Sequence, residues 1–187
     1  MIYKIFLYAA WLVLANVILN TQVNATQIVD KLPVELKGSW SRCIYFESSN
    51  PICTNASTTR IDEAISKPVN QFIYKTDFII NSELQTFTVG IWLDVVDDVD
   101  EVRVNSYLVG SIGQFPPYFQ SGFRYKRLYL IPTVIMKFNQ LNHLEIKTFS
   151  SVNKAGLNSH PIVLGNYFEF SHKQKQDYIY VFCISTL

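Results

Sequence analysis

The chain has 187 residues, with 16 Lys and Arg against 15 Asp and Glu and a formal charge of +1. The charges are scattered, so no basic stripe points to nucleic acid and no block of like charge marks a disordered tail. Phe, Tyr, Ile and Val are plentiful, Gly and Pro serve only as punctuation, and no repeat occurs, which together predict an all-β domain.

Residues 1–25 read as a signal peptide or an uncleaved anchor. Lys4 supplies a positive start, Ile5 to Ile18 carries no charge, and Val23-Asn24-Ala25 offers small or modest side chains to a signal peptidase. The run is shorter than the roughly 18 to 20 apolar residues that a membrane span needs. Export is the expectation, to a periplasmic or other extracytoplasmic location, with inner-membrane anchoring as the uncleaved alternative. The mature part, about 160 residues, is the size of one domain with a substantial core.

Leu32 to Trp40 alternates apolar and polar residues and reads as a first strand, with Trp40 as a core anchor. Cys43 and Cys53 flank the turn formers Ser48-Ser49-Asn50-Pro51, so a bridge between them would close a short loop between neighbouring strands; free thiols are the alternative. Cys183 has no evident partner. Asn50 to Ser66 lacks a period and reads as a loop with one helical turn at Ile61 to Ile65. Asn55-Ala56-Ser57 fits the N-glycosylation pattern, which would carry no meaning if export is to a bacterial periplasm. Phe72 to Ile80 is a predicted strand, succeeded by a turn at Asn81-Ser82-Glu83 and a second strand from Leu84 to Leu93.

The stretch Gly90 to Gly113 then organises the chain. An apolar strand runs into an acidic turn (Asp94, Asp97, Asp98, Asp100, Glu101), and VRV and YLV come next, separated by Asn105 and Ser106. Two β-rich runs with two residues between them predict a tight hairpin, and Asn tolerates the positive φ that such a turn requires. Gly113 to Gly122 is a long loop in which Phe115, Tyr118 and Phe119 lie among Pro116 and Pro117. A strand face cannot bury all of these rings, so this loop is the expected contact surface. Arg124, Lys126 and Arg127 come after it as hydrogen-bond donors to sugar hydroxyls or a carboxylate, or else form a solvated strand edge. Arg127 to Ile131 is a strand stopped by Pro132. Thr133 to Phe138 is a turn of helix, His143 to Phe149 a strand, and Ser150 to Ser159 a loop. Pro161 to Phe170 is the closing strand, with Val163, Tyr167 and Phe168 as core residues. Asp177 to Leu187 is apolar and too short to span a bilayer; it reads as a final strand or as the first half of a membrane helix, with the latter favoured.

Asp94, Asp97, Asp98 and Asp100 offer carboxylates to a hard cation such as Ca²⁺, though without EF-hand spacing; the alternative is a solvated turn whose Asp side chains cap their own amides. Adjacent Asp97 and Asp98 point to opposite faces of an extended chain and cannot flank one glycosidic bond. His143, His160 and His172 are isolated, and no nucleophile elbow, phosphate loop or dinucleotide fingerprint occurs. The residues therefore predict a non-enzyme without a resident cofactor.

The order of apolar strand, Asp-Asp turn, Asp-Glu-Val, strand ending in Asn and then Val-Gly-Ser resembles the galactose-binding-like jelly rolls. These occur as the sugar-binding domain of family 2 glycoside hydrolases and as periplasmic sensor domains of bacterial membrane receptors. The resemblance continues through Phe115-Pro116-Pro117, Phe119-Gln120-Ser121, Arg127 to Pro132 and Leu141-Asn142-His143-Leu144-Glu145-Ile146, and covers roughly Leu32 to Phe170. One departure is Ser106, where relatives carry Gly at the hairpin tip. The resemblance implies a jelly-roll β-sandwich over residues 26–170, with 171–187 as a tail. It implies a non-catalytic extracytoplasmic domain that binds or senses carbohydrate or a related small ligand, attached to a membrane through either end. The alternative it implies is the accessory sugar-binding domain of a glycoside hydrolase. The sequence encoded after Leu187 would separate the two: membrane helices for a receptor, further sandwiches and a barrel for a hydrolase.

Overall fold

A computed structural model describes residues 26–45, 51–56, 71–123, 125–151, 157 and 161–185, without the side chains of Ala56 and of 177–185. The predicted leader, the helical turn at Ile61 to Ile65, and Arg124 and His160 lie outside the described residues. The first strands are β1 (Gln27–Val29), β2 (Val34–Glu35), β3 (Trp40–Tyr45), β4 (Ile52–Ala56) and β5 (Gln71–Ile80). After a 3₁₀ turn at Ser82–Thr86 come β6 (Val89–Val95), β7 (Val99–Val104), β8 (Tyr107–Ile112) and β9 (Lys126–Leu130). A second 3₁₀ turn, Thr133–Ile135, leads to β10 (Leu141–Phe149) and β11 (Val163–Asn166), and a helix, α1 (Tyr167–Ser185), begins directly after it.

The strands form an all-β sandwich. The larger sheet runs in the order β4-β3-β5-β10-β7-β8, with β1 added parallel to β5, and the smaller runs β2-β11-β6-β9. From β5 onward the chain passes between the two sheets at nearly every connection, the hairpin of β7 and β8 excepted, which is how a jelly roll brings strands distant in sequence side by side.

Period-two patterning builds the core. In β5, Phe72, Tyr74, Thr76, Phe78 and Ile80 are buried while Lys75 and Asp77 face water, as a half-buried strand requires. In β10, Leu144 and Ile146 point inward while His143, Glu145, Lys147 and Phe149 line the outer face. Ile91, Leu93, Tyr129, Ile131 and Leu164 meet them from the smaller sheet, and Trp40 fills one end with its indole N–H donated to the Leu36 carbonyl at 3.1 Å. Each such apolar side chain contributes about 1.5–3 kcal/mol by leaving water.

The structure corrects several boundaries. Asn50 to Ser66 is not wholly a loop, because Ile52–Ala56 pairs with β3 and sets Cys53 opposite Cys43, to which it is disulfide-bonded. The strand expected from Leu84 begins only at Val89, because the Asn81 side chain accepts the Glu83 N–H at 3.0 Å and starts a 3₁₀ turn instead. The first segment, Leu32 to Trp40, is broken between β2 and β3. The closing strand stops at Asn166, whose side chain accepts the Phe168 N–H at 3.0 Å and caps α1. Tyr167 and Phe168 therefore leave the core, and Phe168 is exposed. The tail is helical rather than a strand, and no helix among the described residues is long and apolar enough to cross a membrane.

Candidate functional site

The hairpin forms as its sequence requires. Val104 pairs with Tyr107, and Asn105 and Ser106 take φ values of 51° and 71°, the two positive angles of a type I′ turn. The loop after β8 is then held at both ends. Gly113 sits at φ 83°, where an added Cβ would lie 2.6 Å from the Gln120 carbonyl oxygen, and Gln114 and Gln120 exchange backbone hydrogen bonds of 2.8 and 3.0 Å. Beyond it, Ser121 donates its hydroxyl to Asp98 Oδ1 at 2.7 Å and Gly122 donates its N–H to the Asp98 carbonyl at 2.7 Å. The Asp98 side chain also accepts the hydroxyl of Ser150 and both the N–H and hydroxyl of Ser151, at 2.8–3.1 Å. Burial raises the proton affinity of this carboxyl, but the hydrogen bonds from Ser121, Ser151 and Ser150 outweigh burial and hold it below the ordinary carboxylate range.

So anchored, the loop lies over the outer face of the larger sheet. Phe115 and Phe119 pack on Phe149 with ring centroids 6.4 and 5.5 Å apart, and Lys147 Nζ stands 4.6 Å from the centre of the Phe115 ring. Tyr118 projects into solvent with 81 % of its surface exposed, Phe119 is 39 % exposed, and Phe123 and Tyr125 are exposed further along. The result is a stepped aromatic surface with an ammonium group beside it, which can stack on the C–H face of a sugar ring and donate hydrogen bonds to its hydroxyls. Reading along the sequence does not single out Phe149 or Lys147. Their signal is their place on the outward register of β10, where Phe149 is a large apolar residue facing away from the core.

Arg127 does not belong to this surface. Its side chain and that of Asp100 are both 0 % exposed, Nε donates to Asp100 Oδ1 at 2.7 Å, and Nη2 donates to the Asp98 carbonyl at 3.1 Å. Nη1 donates to the Tyr125 carbonyl, and Tyr129 completes the cluster by donating its hydroxyl to Asp100 Oδ2 at 2.5 Å. Burial pushes the Asp100 carboxyl up, opposed by Tyr129 and Arg127, and the Tyr129 phenol is pushed far up by burial and by Asp100 beside it. A guanidinium so enclosed cannot meet a ligand.

The acidic turn is likewise divided rather than convergent. The carboxylate of Asp98 faces three serines and that of Asp100 faces Arg127 and Tyr129. Asp94, at φ 57°, lies beyond a bulge in β6, and Asp97 is partly buried. Among the described residues no three His, Cys, Asp or Glu side chains gather as a metal site. The four aspartates therefore do not form a common Ca²⁺ cage, because two of them are spent on holding the loop and joining the sheets.

No protein-family model matches this sequence, and no curated protein matches it either. Solved structures do. A β-glucuronidase from Ruminococcus gnavus in complex with D-glucuronic acid superposes with a TM-score of 0.54 at 15 % identity, over 72 % of this chain and 29 % of that one. The same enzyme with uronic isofagomine gives 0.53 at 14 %, over 71 % and 28 %. A β-D-glucuronidase of Dictyoglomus thermophilum gives 0.54 at 16 %, over 71 % and 27 %. The chain thus spans less than a third of the length of these enzymes. The likeness establishes a shared all-β sandwich fold with part of each of them.

Proposed function

We propose that this domain is a non-catalytic carbohydrate-binding domain of an exported protein, with its ligand taken by the aromatic loop. The observation that carries the reading is Tyr118, an almost fully exposed ring on a loop fixed at both ends, beside Phe119, Phe115, Phe149 and Lys147. An exposed aromatic on a rigid support loses little entropy on binding, and each ring buried by a ligand contributes about 1–3 kcal/mol. The absence of a catalytic role for the acidic turn is supported by the separate engagements of Asp98 and Asp100. Of the two settings, accessory domain and membrane sensor, the fold shared with glucuronidases favours the accessory domain. The test is a glycan array probed with the full chain and with Tyr118→Ala. Binding to a defined set of glycans that Tyr118→Ala weakens about tenfold supports the reading, and no binding by the wild-type chain, or equal binding by both, rejects it.

A further inference from the structure

The outer face of the smaller sheet, on the side of the molecule opposite the aromatic loop, is where α1 docks. A pair of glycines makes room for it. Gly90 and Gly165 stand opposite one another in β6 and β11, and their missing Cβ atoms leave the depression that receives α1. A Cβ at Gly165 would lie 2.2 Å from the Phe170 ring, and one at Gly90 would lie 3.1 Å from Tyr167 Cα. Phe170, seated there, reaches Trp92 with ring centroids 6.0 Å apart. One turn further along α1, Gln174 donates its amide to the Lys126 carbonyl at 3.1 Å and holds the helix over the start of β9. Between helix and sheet remains a cleft of about 330 Å³, lined by Trp92, Asp94, Lys126, Pro161, Val163, Phe170 and Lys173.

We propose that this cleft is a ligand site for a small acidic sugar of the hexuronate class. Its volume is at the lower end of the range for small-molecule sites, about 300–1,000 Å³, which suits a monosaccharide. Trp92, Phe170 and Pro161 give it an apolar wall for the C–H face of a pyranose. Lys126, whose ammonium lies 5.8 Å from the centre of the Trp92 ring, and Lys173 on α1 give it two cations for a carboxylate. Asp94 decides between a sugar and a plain anion. Its carboxylate opposes a simple anion but accepts hydrogen bonds from hydroxyl groups, so the ligand that fits this lining carries hydroxyls and one negative charge together. The residues come from β6, β9, α1, β11 and the segment before it, which is why no local motif announces them.

The test uses the full chain and monitors tryptophan fluorescence during titration with D-glucuronate, D-glucose and inorganic phosphate, each in turn. D-glucuronate should give a saturable change, with D-glucose and phosphate each at least tenfold weaker. The double variant Lys126→Gln/Lys173→Gln should weaken D-glucuronate at least tenfold with only a small fall in thermal midpoint from the lost Lys126–Trp92 contact, since both changes leave the core untouched. Lys173→Glu, a single exposed change on the helix, should weaken it as well. Tyr118→Ala should leave D-glucuronate binding intact, which separates this site from the aromatic loop. The proposal is overturned if D-glucuronate does not bind, if phosphate matches it, or if the lysine variants bind it as the wild type does.

Discussion

Arg127 of β9 and Asp100 of β7 form an ion pair of 2.7 Å that crosses the sandwich between its two sheets with neither side chain exposed to water. Such a pair contributes little over a well-packed apolar replacement, but removing one partner strands a buried charge and costs about 3–5 kcal/mol. Arg127→Met and Asp100→Asn should each lose stability of that order in urea unfolding. The double variant Arg127→Met/Asp100→Leu should recover much of it, and strictly additive losses would show that the two residues act separately.

The facing glycines of β6 and β11 set how closely α1 can approach the smaller sheet. Gly165→Ala should displace Phe170 from Trp92 and cost about 1–3 kcal/mol by overpacking, with a change in Trp92 fluorescence and faster hydrogen exchange in the first turns of α1. In a Phe170→Ala background the same substitution should cost much less, because the atoms it meets are gone.

The hairpin tip separates two residues that share a backbone conformation. Ser106, at φ 71°, holds an angle that Gly reaches without a Cβ penalty, so Ser106→Gly should stabilise by about 0.5–1 kcal/mol. Asn105 differs. Its Oδ1 accepts the His143 N–H at 3.0 Å, and its Nδ2 donates to the Ile135 carbonyl at 2.7 Å and to Asn142 Oδ1 at 2.9 Å. Turn chemistry alone would let Gly replace it, but with these bonds Asn105→Gly should destabilise by about 1–3 kcal/mol, and Asn105→Val by more. Equal melts for Asn105→Gly and wild type would contradict this.

Asp98 sets an acid limit. Its carboxyl is held below the ordinary range in the folded chain by Ser121, Ser150 and Ser151, so its contribution is fully present above the unfolded carboxylate pKa, about 4, and is lost as pH falls through the lower folded value. Urea unfolding across this interval should show wild-type stability falling more steeply with acid than that of Asp98→Asn, which should already be weaker at neutral pH by about 1–3 kcal/mol. Parallel profiles would remove Asp98 as the anchor of the loop.

Legibility in the sequence depends on range. The type I′ hairpin, the alternation in β5 and β10, the core role of Trp40 and the exposure of the aromatic loop all arise from residues within a few positions of each other. Arg127 misleads a reader of the sequence because a fully buried arginine is intelligible only with its partner, and Asp100 lies 27 residues away on the other sheet. Phe149 and Lys147 join the site through sheet register rather than through sequence. The helix after Asn166 has a local signal that the β-forming aromatics obscure: Asn166 with Glu169 three residues later, a capping-box pattern.

Whether the aromatic loop is a binding surface or a structural cover is decided most directly by calorimetric titration. The tightest array glycan is titrated into wild type, Tyr118→Ala and Tyr118→Ala/Phe119→Ala, with a thermal melt of each. Tyr118, being almost wholly exposed, should weaken binding about tenfold on truncation, or about 1.4 kcal/mol, with no change in melting. Adding Phe119→Ala should weaken it further at a small loss of stability from the Phe149 contact. Unchanged affinity in both variants, or a large drop in melting with affinity retained, would contradict a binding role for the loop.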